Sequence, residues 1–162
     1  MLTVFNGANL FSQSSFSGER LKQACIDYIY DKVGKDAEIS ISSKIDDQKF
    51  TASGIIAKLR GEENSLKGNT NVAIEFLLDD KLVKRVQVPV RIKIYKEVPV
   101  AKESIHRGEV ITEDDLLLEK KDITNFSNNE IIAFDEIINS KAKRNISESS
   151  VITSSFIEKG NM

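Results

Sequence analysis

The sequence predicts an α+β protein, mainly β, built as a small strand-rich N-terminal domain with one helix followed by a second small β domain. Three observations predict it. Helical periodicity is confined to one early stretch, alternation of period two dominates the next sixty residues, and beyond residues 95–99 the chain breaks into short extended pieces separated by turn residues. A chain of 162 residues accommodates one ordinary domain or two small ones.

The helix is expected over Gly18–Val33, with Ser17 as N-cap and Gly34 as the stop, because Leu21, Cys25, Tyr28, Ile29 and Val33 recur on one face. Ahead of it, residues 1–16 contain no Lys or Arg. They read either as a frayed tail or as the remnant of a signal peptide, with Leu2 to Phe5 ending an apolar segment and Ser12-Gln13-Ser14 as a small-x-small cleavage site. After the helix, Ala37, Ile39 and Ile41 mark a half-buried strand, residues 50–59 a second with Gly54 as a bulge, and residues 60–70 a polar loop. Val72, Ile74, Phe76 and Leu78 alternate cleanly into the turn Asp79-Asp80-Lys81. Val86, Val88, Val90, Ile92 and Ile94 return from it as the second arm of a long hairpin. Pro89 has no N–H to give a ladder, so its strand should lie at an edge or be irregular there.

These patterns divide the chain into a tail (1–16), an N-terminal α+β domain (17–96) and a C-terminal domain (97–162). In the last, a short strand leads to Gly108, where a sharp turn favours positive φ. Thr112 then caps an acidic turn, Glu113-Asp114-Asp115, whose carboxylates sit at its positive end. Leu116 to Ile123 is extended again, residues 134–138 form a helical turn, and residues 142–146 a further short strand. No internal repeat or low-complexity tract stands out.

Several functions are disfavoured. Charged residues make up 30% of the chain, with a net charge of -2 and both signs interspersed, so the basic footprint of a nucleic-acid binder is missing. No apolar run approaches the roughly 20 residues of a membrane span. The single cysteine, Cys25, excludes an internal disulfide and reads as a small buried apolar residue. His106 is the only histidine, no nucleophile-base signature is present, and the pairs Asp79-Asp80 and Asp114-Asp115 diverge as turn and cap residues instead of converging on an ion. The glycines are too dispersed for a phosphate loop. No catalytic, cofactor or metal residue is therefore expected.

The segment Val100-Ala101-Lys102-Glu103-Ser104-Ile105-His106-Arg107-Gly108-Glu109-Val110-Ile111-Thr112-Glu113-Asp114-Asp115-Leu116 resembles the opening of SAF (β-clip, antifreeze-like) domains. Residues 137–146 and Ser149-Ser150-Val151-Ile152-Thr153 resemble the second half of that motif, with Asn139 and Ser149 where these families usually carry glycine. Since serine accepts a left-handed backbone less readily than asparagine, the turn at Ser149 is expected to differ. About 100 residues precede the module, too few for the barrel of sialic acid synthases. The strand-rich domain running into Val98-Pro99-Val100-Ala101 is instead similar to the flagellar basal-body P-ring formation chaperones, over about residues 37–157. Against that family's pattern the SAF domain is C-terminally incomplete.

The resemblance implies a non-enzymatic periplasmic assembly chaperone whose partners are flagellar P-ring subunits, bound through strand edges or an interdomain groove that reorients about residues 95–99. It implies no cofactor. Lys102, His106, Arg107, Lys143 and Arg144 flank the turns and are the candidate partner contacts, against the alternative of a solvated charged rim. Gly108, Asn139 and Thr112 are the structural turn residues. The chain is expected as a monomer, or as a strand-exchanged dimer if an incomplete clip leaves edges unpaired. The alternatives are a carbohydrate-binding module of the sialic-acid-synthase type, a pilus-assembly SAF protein, or a structural subunit retained in an assembly.

Overall fold

In the computed structural model, which describes residues 14–62 and 66–160, the first helix, α1 (Gly18–Val33), follows a two-residue strand, β1 (Ser15–Phe16). The Ser17 hydroxyl accepts from the Arg20 N–H at 3.3 Å and so supplies one partner for the unpaired donors of the first turn. Gly34 ends the helix at φ +93°, its N–H donating to the Tyr30 carbonyl at 2.9 Å. Leu21, Ala24, Cys25, Tyr28 and Ile29 form the buried stripe, the i, i+3, i+4 spacing of a helix lying on an apolar layer.

That layer is a twisted antiparallel sheet. Among the described residues, β2 (Glu38–Ser40), β6 (Lys81–Lys93), β5 (Gly68–Leu78) and β4 (Ile56–Arg60) pair in that order. A separate short pair joins β1 to β3 (Gln48–Lys49). On the core face of the hairpin Val72, Ile74 and Phe76 stand beside Val88, Val90 and Ile92, and all six are buried in one cluster with the helix stripe. Asp79 and Asp80 make the hairpin turn with φ of 47° and 61°, the doubly left-handed backbone whose twist matches a two-residue loop. The pairing register shifts just after it, leaving Val83 unmatched between Leu82 and Lys84. On the opposite face Glu75 is only 6% exposed, directly across from Arg85, whose guanidinium reaches its carboxylate at 2.6 Å and 3.1 Å, while Arg60 lies 3.8 Å away.

Several expectations are corrected. Ser15 and Phe16, expected in the tail, form β1, because Phe16 is buried and packs edge-on against Phe50 and Phe76 with centroids at 6.2 Å and 5.3 Å; residues 1–13 lie outside the described ones. The strand expected over residues 50–59 starts only at Ile56. Phe50 turns into the same aromatic cluster, 5.0 Å from Phe76, and the chain bends through residues 51–53 to Gly54 at φ +84° before it can run straight. The loop expected over residues 60–70 ends early, since β5 begins at Gly68. Pro89 lies where β6 has β5 on one side and no described strand on the other, since β2 reaches only as far as Arg91, so one open side tolerates a missing N–H.

The chain divides after Ile94 into two compact units. In the second, β7 (Tyr95–Ala101) pairs antiparallel with β8 (Leu116–Asp122), and β9 (Lys141–Ala142) with β10 (Ile157–Glu158), with an α-helical turn, α2 (Phe134–Ile137), before β9 and 3-10 turns at Glu113–Asp115 and Ser154–Phe156. The strand expected over residues 142–146 is only Lys141–Ala142. The chain bends through residues 143–144 so that Ile146 can form a single bridge to Ile105.

The N-terminal core can be tested at two positions. A Cβ on Gly18 would stand 1.7 Å from the Ile45 carbonyl oxygen, so Gly18→Ala displaces backbone and costs about 2–4 kcal/mol in urea unfolding. Burial pushes the Cys25 thiol up to about 12. It is therefore inert to a disulfide reagent at pH 8 in the folded protein and reacts at once when denaturant is added, which an absorbance assay reads directly.

Candidate partner-binding surface

The backbone of the C-terminal unit is a duplication, where the sequence pattern suggested no repeat. From Ala101 to Leu116 each residue answers to the one 41 positions later: Ala101 to Ala142, Lys102 to Lys143, Ile105 to Ile146, Val110 to Val151, Ile111 to Ile152, Thr112 to Thr153 and Leu116 to Ile157. The hydrogen bonds repeat with the residues. Ile105 N–H donates to the Ile146 carbonyl and Ile146 N–H to that of Ile105, both at 2.9 Å. Outward from this pair, Gly108 N–H donates to Ala142 and Ser149 N–H to Ala101, each at 2.8 Å. Likewise Lys102 N–H donates to Asp115 and Lys143 N–H to Phe156, each at 2.8 Å.

A pseudo-twofold axis therefore passes between Ile105 and Ile146. The core is built from the pairs it relates, namely Ala101 with Ala142, Ile105 with Ile146, Ile111 with Ile152 and Leu116 with Ile157, together with Ile137.

The axis explains the turn residues. Gly108 has φ +89° as expected, and Ser149, its mate, takes φ 60°. The expectation of a different turn at Ser149 is corrected: the N–H it sends to Ala101 is the mate of the Gly108 bond, and making it holds the serine left-handed. Asn139 likewise has φ 65°. Thr112 caps its turn through the carboxylate of Asp115, whose Oδ2 accepts from the Thr112 N–H at 2.8 Å and from its hydroxyl at 2.7 Å.

The five candidate contact residues are all exposed, and the axis divides them. The turn carrying His106, Arg107 and Gly108 lies against residues 142–145. Gly108 N–H reaches Ala142, and Arg107 N–H donates to Asn145 Oδ1 at 2.9 Å, so His106, Arg107, Lys143 and Arg144 gather on one side. The Glu109 carboxylate accepts from the His106 N–H there at 2.7 Å, and the Arg144 guanidinium stacks 4.8 Å over the Phe156 ring. Lys102 falls on the other side, beside Ser149 and Ser150.

Charge does not follow the backbone symmetry. Arg107 is answered by Glu148, and Arg144 by Glu103, so one half presents a basic cluster and the other a mixed, more acidic one. Among the described residues no three His, Cys, Asp or Glu side chains are grouped to hold a metal ion, and no helix is long and apolar enough to cross a membrane.

Residues 96–162 match the family model described as a chaperone for flagella basal body P-ring formation. The resemblance read from the residues is borne out over this segment, and the mainly β α+β fold with it. The structure is similar to that of Salmonella FlgA in closed form (11% identity, TM-score 0.58, 87% of this chain and 69% of that one) and in open form (11%, 0.57, 88% and 64%). It is also similar to flagellar protein FlgA from Thermotoga maritima (22%, 0.51, 87% and 52%). This chain thus spans between about half and just over two thirds of those structures. No curated protein matches it in sequence.

Left-handed backbone at Ser149 costs a non-glycine residue about 1–2 kcal/mol, part of which glycine returns as greater freedom in the unfolded chain. Ser149→Gly is therefore expected to raise stability by about 0.5–1 kcal/mol and Ser149→Val to lower it, both read from denaturant midpoints.

Proposed function

We propose that this chain is a periplasmic, non-enzymatic assembly chaperone that binds flagellar P-ring subunits and assists their assembly into the ring, using the basic half of its C-terminal unit as a contact surface. The observation that carries this reading is the match of residues 96–162 to the P-ring-formation chaperone family. The fold shared with FlgA structures from two organisms supports it. An assembly chaperone must recognise polypeptide and release it, and a small exposed cluster of His106, Arg107, Lys143 and Arg144 suits that demand. Exposed charges steer and orient an encounter while adding little affinity, so the client is held without being trapped. Lys102 joins the contact only for a partner that spans both halves of the unit.

Light scattering of the P-ring subunit, followed with and without an equal concentration of this protein, tests the reading. Suppressed self-association with a defined complex is the expected result, and an unchanged time course would exclude it. The triple variant Arg107→Glu, Lys143→Glu, Arg144→Glu is expected to weaken the complex by about tenfold, and Lys102→Glu by much less.

A further inference from the structure

The N-terminal sheet has edges of unequal character. β4 is half-buried along most of its length, with Ala57 fully so, and β2 is three residues long. β6 is different. β5 accompanies it throughout, but β2 pairs only with Arg91, Ile92 and Lys93, so from Lys81 to Val90 it borders no other described strand. Lys81, Leu82, Val83, Lys84 and Arg85 are exposed in succession, Leu82 by 49% and Val83 by 48%.

Main-chain groups on such an edge are a template for another strand. Leu82 and Val83 offer apolar area that an added strand would cover. Lys81 and Lys84 make no ion pair among the described residues, while Arg85 is engaged by Glu75, and Asp79 and Asp80 are the acidic groups of the adjoining turn. A second copy of the chain is a poor occupant, because edge-to-edge pairing of β6 with itself would bring Lys81, Lys84 and Arg85 close to like charges. Lysines on an edge discourage indiscriminate pairing, and by the same repulsion they select a strand of the opposite sign. Pro89, with no N–H, bounds the usable stretch.

We propose that residues 81–88 of β6 are a docking edge for an extended polypeptide segment rich in Glu or Asp, which adds to the sheet as a strand beside β6. Main-chain bonds would supply the register and Lys81 and Lys84 the choice of sign. The occupant is defined by its chemistry and is independent of whether the C-terminal unit binds P-ring subunits.

The test uses the full chain and capped peptides of about eight residues, the length the edge admits: one alternating Glu with Val, one alternating Lys with Val, and the Glu peptide N-methylated at every second amide. Binding is read by calorimetry and the site by amide hydrogen exchange. The Glu peptide is expected to bind about tenfold or more tighter than the Lys peptide and to slow exchange within residues 81–88. N-methylation should abolish binding, since it removes main-chain donors and leaves the charges. Lys81→Glu with Lys84→Glu, both at exposed positions and checked for folding by circular dichroism, should reverse the preference between the peptides. Equal affinity for the two peptides, undiminished binding of the methylated one, or protection located elsewhere would each overturn the proposal. So would protection of residues 81–88 that depends on protein concentration in the absence of peptide, which would assign the edge to a second copy.

Discussion

The reciprocal hydrogen bonds between Ile105 and Ile146 hold the C-terminal unit together. Outside the pair β7 and β8 its strands are short, β9 and β10 having only two residues each, too few to hold together as a local hairpin. Much of the order comes from main-chain bonds between segments far apart in sequence, several of which are made twice about one axis. Every mate pair of buried side chains then fills equivalent space on the two sides of that axis, which is why isoleucine, alanine and leucine recur at matched positions.

The N-terminal unit meets the opposite circumstance. There a helix supplies a ready apolar stripe, a long hairpin a matching face, and the remaining pieces are fitted around them. Phe16 and Phe50 reach the core from segments with little regular structure, and the bends at residues 51–53 are the cost of placing them. The other face of the same hairpin is polar. Its one deeply buried carboxylate, Glu75, is held by the cross-strand Arg85 with Arg60 nearby, which keeps the charge paired where solvent is largely excluded.

Charge is laid over this scaffold without regard to its symmetry. In the C-terminal unit a symmetric backbone carries an asymmetric distribution, since exposed positions such as 107 and 148 have no packing to satisfy and are free to differ, whereas 105 and 146 are not. In the N-terminal unit Lys81 and Lys84 are exposed on the stretch of β6 that borders only β5 among the described strands.

Much of this was legible in the residues. Helix α1 with both its caps, the hairpin turn at Asp79 and Asp80, the positive φ of Gly108 and the Thr112 cap are local matters, decided by neighbours within four positions and readable from residue order. The motif around Gly108 also carried the family resemblance. The duplication was not legible, although Ala-Lys, Ile and Val-Ile-Thr recur at one constant spacing. The positions between them reverse charge, and glycine gives way to serine, so similarity survives only where side chains are buried or main-chain bonds are shared. Long-range packing settled the rest: which distant segments pair about the axis, that Ser149 is forced left-handed, that Phe16 enters the core, and which side of the axis each basic residue occupies. Each depends on contacts between residues tens of positions apart, and no local preference encodes them.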